Sequence, residues 1–367
     1  MLITGAGVAG LEAAFALREL ADDRVNLTLL DPKDEFVYRP ISVGEPFSAG
    51  WAKRYPLLRL AEDAGAQLIQ DGLGGVDVER CVAHTTSGAE LRYDALLIGL
   101  GASVHRRYEH VTSVDDARMD ELLHGLIQDV EGGYVRRLAF VVPAPMPWPL
   151  PVYELALMTA ERAWNMQADV AITILTPEAA PLEVFGEGIS QGVARLLAKR
   201  GIEVITSAYC EIPKAKTISI QPGDRTLEVD RIVALPELRG PAVPGLPDDA
   251  AGFIPVDDHG RVTGVEGVWA AGDATDFPVK HGGIAAQQAD IVAQSIAAEA
   301  GAPVEPQRFK PVMEGLLLTG GKPLHLRAEI TDGGLSELTE VLRGSRIPKI
   351  AARYLASHLP EHVGAMG

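Results

Sequence analysis

Apolar residues in this chain fall into short runs alternating with longer stretches of helical spacing. Leu2 to Thr4 is a short strand-like piece, followed by GAGVAG and then LEAAFALREL, where Leu11, Ala14, Phe15 and Leu17 recur at helical intervals. VNLTLLDP comes next, and its near-continuous apolar run suits a strand buried on both faces. Strand, glycine turn, helix and strand make a βαβ unit. From Pro32 to Pro56 the periodicity dissolves into aromatics and prolines, and the stretch reads as irregular. AQLIQDGLGGVDVE and YDALLIGLGA are strand-like again. LAFVV, residues 138–142, opens a second α/β unit with a helix over about 152–164, the strand VAITILTP, a helix over 188–199 and the strand IEVIT. RIVALP, GFIPVDDHGRV and GVWAAGDA read as a return to the first sheet, and a helix over 283–298 follows. The tail holds two short apolar pieces, GLLLTG and PLHLRAEI, and a last helix expected near residues 347–359.

This alternation, occurring twice, predicts an α/β fold: two Rossmann-like three-layer domains with parallel sheets, the second inserted into the first, plus a small C-terminal α+β region. The expected boundaries are 1–110 with 238–300 for the first domain, 111–237 for the second, and 301–367 for a C-terminal interface region.

Composition narrows the function classes. The 367 residues carry a formal net charge of −17, a field that repels phosphodiesters and argues against nucleic-acid binding. The same sign disfavours attraction to an anionic membrane by charge alone. Only two cysteines occur, Cys81 and Cys210, without a CxxC, which fits a reducing cytoplasm and points away from a disulfide framework or a cysteine-rich metal site. No metal is expected. No leader peptide or membrane-length apolar run is read, and the first strand is short enough to suggest a natural start upstream of Met1.

The chemistry begins at Gly5, Gly7 and Gly10, a GxGxxG between predicted strand and predicted helix. Gly5 permits the tight turn, Gly7 lets backbone approach a pyrophosphate, and Gly10 lets the helix pack close to the strand. Val8 and Ala9 complete the helix N-terminus, whose unpaired N–H groups suit phosphate. Asp31, followed by Pro32, stands 21 residues after Gly10, where a carboxylate accepts hydrogen bonds from an adenosine ribose. These residues alone leave NAD and FAD both open.

Five segments and one residue carry a resemblance over nearly the whole chain: GAGVAG with Asp31, FVYRPISVGEPF, YDALLIGLGA, PVYELALM and GDATDFPVKHGG. Together they resemble the FAD-dependent pyridine nucleotide-disulfide oxidoreductase-like superfamily, in its sulfide:quinone reductase, flavocytochrome c and type II NADH dehydrogenase group. The resemblance implies FAD. It places Asp273 of Gly272–Asp273 against the ribityl chain, where a fixed carboxylate is a strong acceptor for a hydroxyl. It points the helix starting near Gly283 at the pyrimidine end of the flavin, whose negative charge on reduction the helix dipole favours. Gly99 and Gly101 take the place of the superfamily's middle motif, without its threonine. Arg39 lies in the stretch expected to wrap the isoalloxazine, and Val76 is a further cofactor contact expected from the same group.

Two departures shape the functional expectation. The second domain's nucleotide turn reads PAPMPWPLP, with five prolines and no glycine. Proline supplies no N–H to a pyrophosphate, so ordinary NAD(P)H binding there is disfavoured. Glu178, after the next strand, is a candidate ribose ligand, with a plain surface glutamate the simpler reading. In sulfide:quinone reductases a redox cysteine precedes the Tyr-Glu pair that Tyr153 and Glu154 match, but Trp148 stands in its place. Sulfide oxidation through a persulfide needs a thiolate that this chain lacks there.

The catalytic candidates are Glu154 as proton donor or acceptor, Tyr153 as a hydrogen bond to a carbonyl substrate, Trp148 as a stacking face for a quinone, and Lys280 beside the flavin pyrimidine or an anionic substrate. His281, adjacent to Lys280, is able to titrate near neutrality. The last predicted helix gathers Ile347, Ile350, Ala351, Tyr354, Leu355 and Leu359 on one face, read as docking onto the protein's own core or a second copy in a homodimer. Lys349 and Arg353 add the alternative of weak peripheral contact with the inner face of the membrane.

The expectation is a cytoplasmic FAD-dependent oxidoreductase linking a small donor to a quinone-like acceptor. The alternatives are an NAD(P)H dehydrogenase with atypical nicotinamide binding, and a non-catalytic flavin-binding redox sensor or subunit.

Overall fold

The computed structural model describes residues 1–329, 336–340 and 349–359. The first βαβ unit forms as expected. Strand β1 (Leu2–Thr4) leads through the glycine turn into helix α1 (Val8–Ala21) and on to strand β2 (Leu27–Leu30). The first sheet is wholly parallel, in the order Val268–Ala270, Leu96–Ile98, β1, β2, Ala66–Ile69. Leu96, Leu97 and Ile98 are all fully buried, which is why that strand reads as an unbroken apolar run. A short helix α2 (Leu57–Asp63) packs beside the edge strand.

The second sheet is also parallel, in the order Thr112–Ser113, Arg231–Ala234, Arg137–Val141, Ala171–Leu175, Ile202–Ile205. Its helices are α3 (Met119–Glu131), α4 (Leu150–Asn165) and α5 (Glu187–Lys199). All strands of this sheet lie between residues 112 and 234, whereas the first sheet takes strands from both sides of that interval. Helix α6 (Gly282–Glu299) then returns to the first sheet and lies against α1. Three antiparallel strands, Val312–Leu317, Leu324–Glu329 and Ser336–Glu340, form the C-terminal sheet against α4, α5 and α6. None of the described helices is long and apolar enough to cross a membrane.

Four expectations need correction. RIVALP belongs to the second sheet, where Val233 pairs with Phe140. A run buried on both faces reads the same in either sheet, so its pattern does not reveal which one it joins. GFIPVDDHGRV makes only single bridges, because the Asp257 carboxylate takes the backbone N–H groups of His259 and Arg261 in a turn. The irregular stretch after Pro32 is a hairpin, Glu35–Tyr38 with Lys53–Pro56, closing over a 3-10 turn at Ser42–Phe47. The last helix is absent from its described part, where only Leu355–His358 makes a 3-10 turn; Ile347 lies outside the described residues. The cause is visible in the backbone. Ile350 N–H goes to the Tyr38 hydroxyl, and those of Tyr354 and Leu355 go to the Glu12 carboxylate, in place of helical carbonyls. Helix α3 was not anticipated, although Met119, Leu123, Leu126, Ile127 and Val130 repeat on one buried face.

Leu97 is central to the first sheet, so Leu97→Ala is expected to cost about 2–5 kcal/mol from the lost transfer energy and the cavity. Urea unfolding should show the loss as a lowered midpoint at unchanged slope.

Candidate functional site

The site begins where three backbones meet. A Cβ on Gly10 would run into the Gly5 carbonyl, and one on Gly5 would run into that of Gly99, so the turn, the start of α1 and the end of strand Leu96–Ile98 touch without side chains between them. Gly5 has φ +89°, a left-handed conformation that favours glycine. Gly7 is different: nothing in the protein lies within 4 Å of a Cβ placed there, and the same holds for Gly101 at φ +71°. The two open positions are where a backbone can be approached closely by a ligand.

Asp31, at the end of β2, accepts from Ala6 N–H at 2.7 Å and Lys33 N–H at 2.9 Å. The carboxylate therefore braces the glycine turn and remains partly open. Pro32 beside it is exposed. Val8 is half-buried and Ala9 buried in the first turn of α1. Gly272 sits where a Cβ would press on Ala9 and Ala285 at 3.2 and 3.1 Å, which ties the end of strand Val268–Ala270 to both α1 and α6. Its N–H is held by Gln288 Oε1 at 2.7 Å. Asp273 follows, half-buried, with burial pushing its carboxyl up to about 6 against the opposing charge of Lys280.

These residues fit FAD. A side-chain-free turn, an open helix N-terminus, a carboxylate at the end of β2 and a deep carboxylate after Gly272 match a dinucleotide with a ribityl arm. Bound FAD supplies two-electron redox chemistry. Gly5, Gly7, Val8, Ala9 and Gly10 would hold its pyrophosphate, Asp31 its adenosine ribose, and Asp273 its ribityl hydroxyls. Gly99 packs into the same junction, against Thr4 O and the Gly10 backbone. Val76 is buried in the neighbouring meander, its N–H on Pro244 O. Arg39 pairs with Asp116 at 3.1 Å, and the Asp116 charge in turn reaches Asp273, whose carboxyl it helps to raise.

The catalytic candidates separate into two groups. Trp148 lies over His281 with ring centres 4.2 Å apart, at the start of α6. His281 caps that helix, its Nδ1 accepting from Gly283 N–H, and burial together with the Lys349 charge pushes its ring down to about 3. Glu154 is 1% exposed; its Oε1 takes Leu318 N–H at 2.9 Å and the Lys349 ammonium at 2.6 Å. Burial raises the Glu154 carboxyl and lowers the Lys349 ammonium, each opposed by its partner. Ile350 covers the first turn of α6, its side chain against Gly282. Trp148, His281, Lys349 and Glu154 thus form one cluster.

Tyr153 and Lys280 turn elsewhere. The Tyr153 hydroxyl donates to Glu178 Oε2 at 2.6 Å, beside Thr176 at the end of strand Ala171–Leu175. Glu178 is therefore no free surface glutamate. Its Oε1 is buried with no hydrogen-bond partner among the described residues, and burial raises the carboxyl. The Lys280 ammonium binds Thr275 O and sits 3.9 Å from the centre of the Phe253 ring, with burial lowering it to about 8 against the pull of Asp273. Lys349 was expected on an outer face and is instead buried, because only the fold brings residue 349 to residue 154. Sequence pattern held no sign of that pairing. Cys210 is buried under the second sheet, which pushes its thiol up to about 12, and Cys81 is exposed in a hairpin turn.

Gly7→Ala is expected to shift the melting temperature of the flavin-free protein by no more than about 2 °C, as for a near-neutral substitution of about 0.5 kcal/mol, while weakening FAD at least ~10-fold in a fluorescence titration. Gly10→Ala should instead destabilise the flavin-free protein itself. Lys349→Ala leaves the Glu154 carboxylate buried without its cation, at an expected cost of about 3–5 kcal/mol, which the paired change Lys349→Met with Glu154→Gln should largely restore in denaturant unfolding.

Residues 154–294 match the family model described as pyridine nucleotide-disulphide oxidoreductase. Among solved structures, the chain is similar to the sulfide:quinone oxidoreductase of the hyperthermophilic bacterium Aquifex aeolicus, at 19% identity and TM-score 0.79 over 92% of this chain and 86% of that one. It is also similar to the ferredoxin reductase of the CYP199A2 system from Rhodopseudomonas palustris, at 19% identity and TM-score 0.66 over 89% and 82%. A third is the NAD-dependent persulfide reductase from A. fulgidus, at 19% identity and TM-score 0.61 over 90% and 64%. At these identities the solved structures speak for the fold, and the family model for a likeness over residues 154–294. Over residues 154–294 the chain is similar to the pyridine nucleotide-disulphide oxidoreductases, and its fold is that of the oxidoreductases and reductases above.

Proposed function

We propose that this oxidoreductase passes electrons between a small donor and a quinone-like acceptor, without a nicotinamide cofactor in its second domain. The observation that carries the reading is the closed second turn. Pro149 precedes α4, Pro151 has no N–H, and Val152 N–H is already bonded to Pro149 O, so the helix start offers little to a pyrophosphate. Trp148, from the same turn, lies on His281 and 5.6 Å from the Phe185 ring centre.

Reduction of a quinone-like acceptor takes up protons with the electrons. Glu154 and Lys349 form a buried donor and acceptor pair suited to hold one, beside the planar Trp148 face. Neither cysteine supports a persulfide route, since Cys210 is a buried packing thiol and Cys81 lies in a surface turn.

One observation favours a second reading. Tyr153, Thr176 and Glu178 gather at the carboxyl end of strand Ala171–Leu175, with Glu178 Oε1 lacking a donor among the described residues. A ribose hydroxyl would satisfy it, which supports atypical NAD(P)H binding.

An anaerobic visible titration of the flavin-loaded protein separates these readings. The flavin band is expected to bleach with a reduced quinone analogue, and to persist with sulfide and with NADH. Rapid bleaching by NADH would overturn the proposal in favour of the nicotinamide reading. Persistence with all three would leave flavin binding without this redox role.

A further inference from the structure

Glu12 is the one charged residue in the first two turns of α1, and it is fully buried. A carboxylate in that position gains nothing from solvent. Its Oε1 accepts Tyr354 N–H at 2.8 Å and its Oε2 accepts Leu355 N–H at 2.6 Å. Asp290, from the α6 helix that packs along α1, faces it, and the Glu12 charge raises the Asp290 carboxyl. The Asp290 Oδ1 is buried and meets no donor among the described residues. Two buried carboxyl groups facing one another, with no ammonium or guanidinium bonded to either among the described residues, favour a shared proton.

This pair anchors the outer end of a strap. At the inner end, Ile350 N–H binds the Tyr38 hydroxyl at 3.0 Å, the Ile350 side chain covers Gly282, and Lys349 reaches Glu154. Residues 349–359 therefore run from α1, across the first turn of α6, to α4. We propose that Glu12 and Asp290 share one proton and thereby latch this strap over the candidate flavin site, so that rising pH releases it and withdraws Lys349 from Glu154. Glu12 is a positioning residue in this scheme, acting through the strap.

The sign follows from proton counts. Burial raises both carboxyls, that of Asp290 to about 8 with the Glu12 charge adding to it. In an undocked state both are hydrated and return toward the ordinary range near 4. Between those limits the docked state holds a proton that the open state releases to water. Docking is therefore firmest in acid, weakens as pH rises toward about 8, and levels off above it. The other charged or titratable groups around the pair are Arg353, whose charge favours ionised Asp290; Glu19 and Tyr354; and His358, stacked on Phe15 of α1 with ring centres 3.8 Å apart.

Hydrogen exchange of the full-length, FAD-loaded protein between pH 6 and 9, corrected for intrinsic exchange, reads the latch at the amides of Tyr354 and Leu355. Their protection is expected to fall at least ~10-fold across that range, while the amides of β1 and α6 stay protected. In Asp290→Asn the side-chain amide donates to Glu12 without a titrating proton, and protection should become flat with pH. Glu12→Gln, which can donate to Asp290, should flatten the profile likewise and serves if Asp290→Asn does not fold. A flat profile in the unaltered protein would overturn the proposal. So would an undiminished slope in both variants, which would assign the pH dependence to groups outside this pair. The readout is independent of the electron donor, so failure of the quinone reading leaves it standing.

Discussion

Contact of bare backbone at the carboxyl end of the first sheet is the constraint on which the remaining structure rests. Gly5, Gly10 and Gly99 meet at distances that no side chain permits, and this brings the start of α1 onto the ends of two strands. Gly272 repeats the arrangement one strand further along, between Ala9 and Ala285. With α1 and α6 drawn together over that junction, most residues of both helices are buried, and their alanine-rich sequences follow from the small space left to them. The open positions at Gly7 and Gly101 then lie above a rigid floor.

Electrostatics divide the molecule into an outside and an inside with different rules. The surface carries most of the net charge of −17 in hydrated carboxylates. The interior holds a few charged groups, each with a specific partner: Glu154 with Lys349, Asp273 near Lys280, and Glu12 with two backbone N–H groups. Removing one partner from such a set is far more damaging than never having placed the pair. The C-terminal segment supplies the partners in two of the three cases, so it completes the site as well as covering it.

The second domain keeps its parallel sheet while its turn departs from the pattern that binds a nucleotide. Sheet and turn respond to different constraints. The sheet is maintained by burial of Leu138, Phe140, Ile172, Ile174 and Val233, whatever the ligand. The turn matters only to a pyrophosphate, and here its prolines and Trp148 pack toward Phe185 and His281 instead. Tyr153 and Glu154, adjacent in sequence, consequently face two different environments from one helix, Glu178 for the first and Lys349 for the second.

Local rules made the first domain legible. A glycine needed for close approach, an acid at the end of β2 and the two hydrophobic periods are properties of short windows, so GAGVAG, Asp31 and most sheet strands and helices could be read from the chain. Sheet membership could not, since RIVALP carries the same apolar signature in either sheet. Residues 349–359 were read as an amphipathic helix because their apolar spacing fits one, but their backbone donors find better acceptors in Tyr38 and Glu12, more than 300 residues away. Glu12 left one legible trace, a single charged residue in the otherwise apolar first two turns of α1. Its partners, and the burial of Lys349 against Glu154, were decided by tertiary structure, because the free energy of a buried charge depends on what the fold places within hydrogen-bonding distance and not on its neighbours in sequence.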